Sequence, residues 1–297
     1  MDIKIGCRYC VAERVHQIYG LRVSPQEASA LLGYALKPGL KHPRDLRLEN
    51  LRDPLTQEFL FYTVINKTQF FRDMYMMGMV EKVLKDVLER KLTDQTIRPK
   101  IKIWSVGCSR GQEPYSIAML IRKNGWHTRA DFEILGTDIV ARFLGAATKG
   151  KDYIVDDWER PINYLGEREI PTEYLPLVVS HADLVDMRPE VRAMVKFRVA
   201  NLLDSEDYRD REGIDLILVN NVFYYFEKDD TKKALRLLTP TLSPGGVVIS
   251  KDLSDELTSE SGVPLRRIRF DDYLELTVNG EKRAFENRQG YRAYQKI

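Results

Sequence analysis

The chain of 297 residues is poor in the residues that build covalent or metal-held frameworks. Three cysteines are too few for a disulfide scaffold, which points to a reducing compartment. Cys7 and Cys10 form a C-x-x-C, but no second pair follows to complete a zinc site. The helical pattern around them opposes a thioredoxin-like redox motif, and they read as ordinary helix positions. The four histidines, His16, His42, His127 and His181, are scattered and give no ligand cluster, so no metal is expected. Apolar runs are short: none reaches the roughly 18 residues of a membrane span, and the opening MDIKIGCRYC does not have the layout of a secretory signal. An excess of one charge is missing too. Lys and Arg number 46 against 44 Asp and Glu, a formal net charge of +2, so no global basic field implies nucleic acid. What remains is a cytoplasmic globular protein, with 43% hydrophobic residues to form a sizeable core.

The most informative stretch is Ile101 to Leu120, IKIWSVGCSRGQEPYSIAML. Ile101, Ile103, Trp104 and Val106 read as a buried strand, Gly107 to Gly111 as a tight turn, and Glu113-Pro114-Tyr115-Ser116 as the start of a helix. A strand that breaks at glycines and runs into a helix is the nucleoside- or phosphate-binding corner of a doubly wound α/β domain. Pro114 suits the first helical turn, where its missing N–H costs nothing.

Residues 1–92 read as helical. Ala12, Val15, Ile18 and Tyr19 share a face that stops at Gly20, and Ser24-Pro25-Gln26-Glu27 looks like a helix start. Leu55 to Thr63 suggests a further helix. Met77, Val80, Val83, Leu84, Val87 and Leu88 recur at helical spacing in another, with the methionines at 74–79 read as packing. Between Lys37 and Arg52, five basic residues face Asp45 and Glu49, as on a solvated surface. Residues 93–100 make a linker containing Pro99. Strands are then expected at 132–138, 195–201, 216–220 and 247–251. A hairpin follows over 273–285 with an Asn279-Gly280 turn, and 291–297 reads as a final edge strand. Residues 151–194 show no clean period.

The pattern GCSRGQEPYSIA, after a strand carrying Trp-Ser-Val, resembles the first cofactor motif of CheR-type protein-glutamate methyltransferases, which use S-adenosyl-L-methionine and release S-adenosyl-L-homocysteine. Asn66 to Asp73 resembles the family's TTNxTxFFR segment. Asn201-Leu202-Leu203 resembles NLL, and Asn220 to Phe226 resembles RNVxxYF. The resemblance implies an α/β fold, a Rossmann-like seven-stranded methyltransferase sheet (residues 93–297) preceded by a small all-helical, substrate-recognition domain (residues 1–92). It also implies a cytoplasmic monomer that methylates the acidic helical region of a chemoreceptor-like protein. The basic segment 37–52 would then be a docking surface. In some relatives a three-stranded insert binds a receptor tether peptide; no three-strand pattern is legible in residues 151–194, so the tether-binding function is not expected there.

The same resemblance assigns roles. Asn66, Thr68, Gly107, Glu113, Asp138, Asn201, Leu202 and Asn221 would contact the cofactor. Arg72 would touch both cofactor and acceptor, and Tyr225 would approach the transferring methyl. Several have ordinary readings alongside: Asp138 as a helix N-cap, Glu113 as complement to a helix dipole, the Asn residues as turn formers and Arg72 as a surface cation. Asn220 stands where the family usually has arginine, and Val64-Ile65 where it has two threonines. These departures keep two alternatives open: a related methyltransferase acting on another protein or a small acid, and a non-catalytic cofactor-binding regulator. A glutamate carboxylate is already ionised at neutral pH, so its attack on a sulfonium methyl requires positioning rather than a general base.

Overall fold

The computed structural model describes residues 8–35, 47–65, 67–93, 98–151, 153–154, 170, 172–181 and 184–297. In chain order its elements are α1 (Arg8–Tyr19), α2 (Pro25–Ala35), α3 (Pro54–Thr63), α4 (Met74–Leu92), β1 (Lys100–Val106), α5 (Gln112–Lys123), β2 (Asp131–Asp138), α6 (Ala141–Lys149), β3 (Tyr153–Ile154), β4 (Val178–His181), β5 (Leu184–Met187), α7 (Pro189–Arg192), β6 (Val195–Val199), β7 (Ile214–Val219), α8 (Lys228–Leu238), β8 (Leu242–Ser250), α9 (Asp255–Glu260), β9 (Leu265–Ile268), β10 (Tyr273–Val278), β11 (Glu281–Glu286) and β12 (Arg292–Lys296).

Seven strands form one sheet in the order β6-β2-β1-β7-β8-β12-β9. β1 lies between β2 and β7, parallel to both, and β12 runs antiparallel to both of its neighbours. This is the expected α/β sheet, doubly covered because its central strands are apolar on both faces. Ile101 and Ile103 of β1 point into the core shared with α4 and α5, while Trp104 and Val106 point into the core shared with α1, α3 and α8. The strand order changes direction beside β1, where an open α/β sheet leaves a crevice at the strands' carboxyl ends.

The helices start where their sequences allow. Ser24 and Glu27 form a reciprocal capping box, Ser24 N donating to Glu27 Oε2 at 2.8 Å and Glu27 N to Ser24 Oγ at 3.1 Å. Asp53 caps α3 and Asp73 caps α4. Met74, Met76, Met77 and Met79 are buried as packing residues, and Met76 and Met77 also line the crevice. α4 is also pinned to the sheet by an ion pair: Lys91 Nζ lies 2.7 Å from Asp215, which is fully buried and also accepts from Ser243 and from the Lys102 backbone.

Two expectations fail. The final strand is not an edge: β12 sits between β8 and β9, and β9, unrecognised in sequence, is the edge. Residues 151–194 do contain a three-stranded antiparallel sheet, in the order β3-β5-β4. Its strands span two to four residues, too short for an alternation to register. The Asn279-Gly280 hairpin is present as expected, with both φ angles positive, but it stands outside the main sheet and packs on α4.

Candidate active site

The crevice at the carboxyl ends of β1, β2, β6 and β7 opens as a cavity with an empty volume of about 1150 Å³ including its mouth. Of the residues expected at a site, Thr68, Arg72, Gly107, Glu113, Asp138, Asn201, Leu202, Asn221 and Tyr225 all line it. Asn66 lies outside the described residues, as do Cys7, Lys37, Lys41 and Arg44.

The floor is the β1–α5 turn. Gly107 has φ +66°, and a Cβ there would sit 2.4 Å from Cγ2 of Val222, so the turn admits no side chain. Ser109, Phe71 and Asn221 also have positive φ, at 51°, 49° and 58°. All three line the cavity, and strained backbone of this kind gathers at ligand sites. The strain at Phe71 is not legible in sequence; its burial in the core is.

Asp138 ends β2 at 8% exposure. One oxygen accepts from Ser109 N at 2.8 Å and the other from Val140 N at 2.9 Å. Burial pushes its pKa up to about 6, opposed by those backbone donors. Each oxygen keeps a further lone pair for a ligand hydroxyl. The carboxylate of Glu113 accepts from Ser105 Oγ at 2.7 Å and from Asn220 Nδ2 at 2.9 Å; burial raises its pKa, while those two bonds and the charge of Arg72 oppose the rise. Asn220 thus occupies the position of the missing arginine as a neutral partner of Glu113. Two buried wall atoms, Asn220 Oδ1 and Ser109 Oγ, have no hydrogen-bond partner among the described residues. Orphaned acceptors of this kind fit a polar, partly cationic ligand.

The helices before the sheet hold the other walls. Asn201 donates through Nδ2 to the Ile18 carbonyl at 2.9 Å and accepts from Leu203 N at 3.0 Å, so its side chain does the turn-forming work that its residue type suggested. Tyr225 Oη accepts from Ile65 N at 2.7 Å, and its ring stacks on Tyr224 at 3.9 Å. Arg22 donates from its backbone to the Tyr225 carbonyl at 3.1 Å and from its guanidinium to the Tyr224 carbonyl. Arg72 donates to the Lys67 carbonyl at 2.7 Å, at the cavity's edge. Sequence reasoning missed Arg22, Ser105 and Tyr291; a polar residue inside an apolar strand was the available signal for Ser105.

The family profile described as "CheR methyltransferase, SAM binding domain" matches residues 66–250, the span that carries every one of these walls except the early helices and β12. The chain belongs to the CheR methyltransferase family. S-adenosylmethionine is the cofactor of this CheR methyltransferase, and the reaction is methyl transfer. The chain is 34% identical over 194 residues to a Listeria monocytogenes "Chemotaxis protein methyltransferase", covering 65% of this chain and 67% of the relative. It is 30% identical over 206 residues to "Chemotaxis protein methyltransferase 1" of Pseudomonas aeruginosa, covering 67% and 70%. Among solved structures, the N-methyltransferase NodS of Bradyrhizobium japonicum WM9 in complex with S-adenosyl-L-homocysteine shows a distant likeness, with TM-score 0.37 and 12% identity over 75% of this chain and 88% of that one. Among the described residues of this CheR methyltransferase, no helix is long and apolar enough to cross a membrane.

Proposed function

We propose that this CheR methyltransferase esterifies glutamate carboxylates of a chemoreceptor-like protein in the cytoplasm, acting as a monomer in chemotaxis adaptation. The supporting observation is the state of the cavity's own carboxylates. Glu113 and Asp138 are each held by two fixed donors, and their remaining lone pairs go to the cofactor, so neither serves as a general base for the acceptor. An acceptor that is itself ionised at neutral pH needs no such base. The relatives' names point the same way.

The bound cofactor supplies an electrophilic methyl group on a positively charged sulfur. Around it, Glu113 and the free Asn220 Oδ1 accept from the ammonium end, and Asp138 accepts from the ribose hydroxyls. Asn201 and Leu202 border the adenine, and Gly107 leaves room for the ligand against the main chain. Thr68 and Asn221 complete the cofactor wall, and the family resemblance alone gives Asn66 to the cofactor. Arg72 orients the acceptor carboxylate, which a guanidinium can hold with two parallel bonds. Tyr225, tethered through Ile65, closes the methyl pocket. Residues 1–92 recognise the acceptor, and the basic segment 37–52 supplies charge complementary to its acidic helix. Excluding water favours a reaction in which opposite charges cancel.

Incubation with cofactor and a receptor cytoplasmic fragment, followed by peptide mass mapping, tests the reading. It predicts one added methyl per modified glutamate side chain and none once those glutamates are replaced by alanine. Modification of lysine or cysteine instead would overturn it.

A further inference from the structure

The carboxyl edge of the sheet carries a cation that the reading above leaves unused. Lys251 follows the last residue of β8. Continuing the parallel register that pairs Leu218 with Ile249 brings it opposite Asn220. Continuing the antiparallel register that pairs Ser250 with Arg292 brings it opposite Tyr291. Asn220 and Tyr291 both line the cavity. Leu218, Ile249 and Ala293 point into the core shared with α4 and α5, so by the two-residue alternation positions 220, 251 and 291 face that same side. The charges of Asp252, of Arg72 and of Asp73, the last two just ahead of α4, all reach the Lys251 ammonium.

Lys251 is partly buried, and among the described residues its ammonium makes no ion pair or hydrogen bond. The two carboxylates that attract it are committed elsewhere: Asp252 accepts from Val222 N at 3.0 Å, and Asp73 caps α4 by accepting from Met76 N at 3.0 Å. Burial and Arg72 both disfavour its charge, against the attraction of Asp252 and Asp73. A partly desolvated cation beside a second cation, with no anion in contact, is an unfavourable arrangement unless a ligand supplies the anion.

We propose that Lys251 is an acceptor-binding residue which, with Arg72, grips the acceptor carboxylate from two sides. The inference rests on the reading that the acceptor is a carboxylate. It gives the site a means of separating substrate from product. Before transfer the acceptor carries a full negative charge between two cations. Once a carboxylate oxygen has bonded to the methyl carbon and the sulfur–methyl bond has broken, leaving the neutral thioether S-adenosylhomocysteine, the ester is neutral, both cations lose their partner, and release is favoured.

The test uses the full chain as wild type, Lys251→Met and Lys251→Arg, with steady-state methylation of a receptor cytoplasmic fragment and calorimetric titration of S-adenosylmethionine. Losing one charge-assisted contact should raise the KM for the fragment by about tenfold in Lys251→Met. The cofactor Kd and the melting temperature should stay at wild-type values, and Lys251→Arg should recover most of the lost KM. An active wild type with an unchanged KM in Lys251→Met would overturn the role of Lys251 alone. So would a matching loss in Lys251→Arg, or a KM change accompanied by an equal change in cofactor Kd. A wild type that binds cofactor and leaves the fragment unmodified would overturn the carboxylate reading itself, and the role of Lys251 with it.

Discussion

Replacing Asp138 by alanine separates the structural work of this carboxylate from the cost of burying it. The side chain is 8% exposed and accepts from the backbone N–H groups of Ser109 and Val140. Alanine leaves both donors without that acceptor, a loss of about 1–3 kcal/mol for each buried group. Against this stands the charge: burial lifts the carboxyl from its ordinary 3.8 to about 6 in the ligand-free protein. A group whose folded pKa lies above its unfolded one stabilises fully below the unfolded value, and that contribution is lost as the pH climbs through about 6. Linkage between these two values makes ionisation of the native side chain cost about 2 kcal/mol near pH 5 and about 3 kcal/mol near pH 7.5. Alanine carries no such dependence. Asp138→Ala should therefore destabilise the protein by about 1 kcal/mol more near pH 5 than near pH 7.5. Urea unfolding of both proteins at the two pH values, with unchanged m, measures the difference. Equal destabilisation at both values, or a smaller one in acid, would refute the claim that burial holds this carboxyl's pKa up.

Three further outcomes follow from the geometry. Gly107→Ala should abolish measurable cofactor binding in calorimetry while the protein stays folded by circular dichroism, because the new Cβ meets Val222 at 2.4 Å and a positive φ is imposed on alanine. Asp215→Ala takes the anion from Lys91, which keeps its bond to the Lys100 carbonyl, and strands the donors of Ser243 and Lys102, so unfolding should show a loss of about 1–3 kcal/mol for each donor left buried and unpaired, with cofactor affinity unaltered. Tyr225→Phe removes the acceptor of Ile65 N; turnover should fall by about tenfold to a hundredfold through misplacement, with cofactor Kd and melting temperature close to wild type.

The β1–turn–α5 corner was legible because three local signals coincide: a doubly apolar strand, a glycine that must adopt positive φ, and a proline in the first helical turn. Asp138 was legible as the polar end of an apolar strand, and Asn279-Gly280 as a turn that fixes its own register. The failures share one cause, which is that pairing partners are not written locally. β9 reads Leu-Arg-Arg-Ile, and both arginines are exposed because the strand lies at the edge. β12 looks like an edge because it comes last, yet its Tyr294 and Ala293 are buried between two strands. Arg22 could not be found at all, since its work is done on Tyr224 and Tyr225 about 200 residues along the chain. Lys251 was invisible for the same reason: only the sheet register sets it between Asn220 and Tyr291.

The most direct test of the central claim is the chemical stability of the transferred methyl group. After reaction of the protein and a receptor cytoplasmic fragment with methyl-labelled S-adenosylmethionine, the fragment is isolated and brought to alkaline pH. A carboxyl methyl ester predicts that the label leaves quantitatively as volatile methanol and that alanine at the modified glutamates prevents its incorporation. Label that survives alkali would place the methyl on nitrogen, sulfur or carbon and would contradict the account.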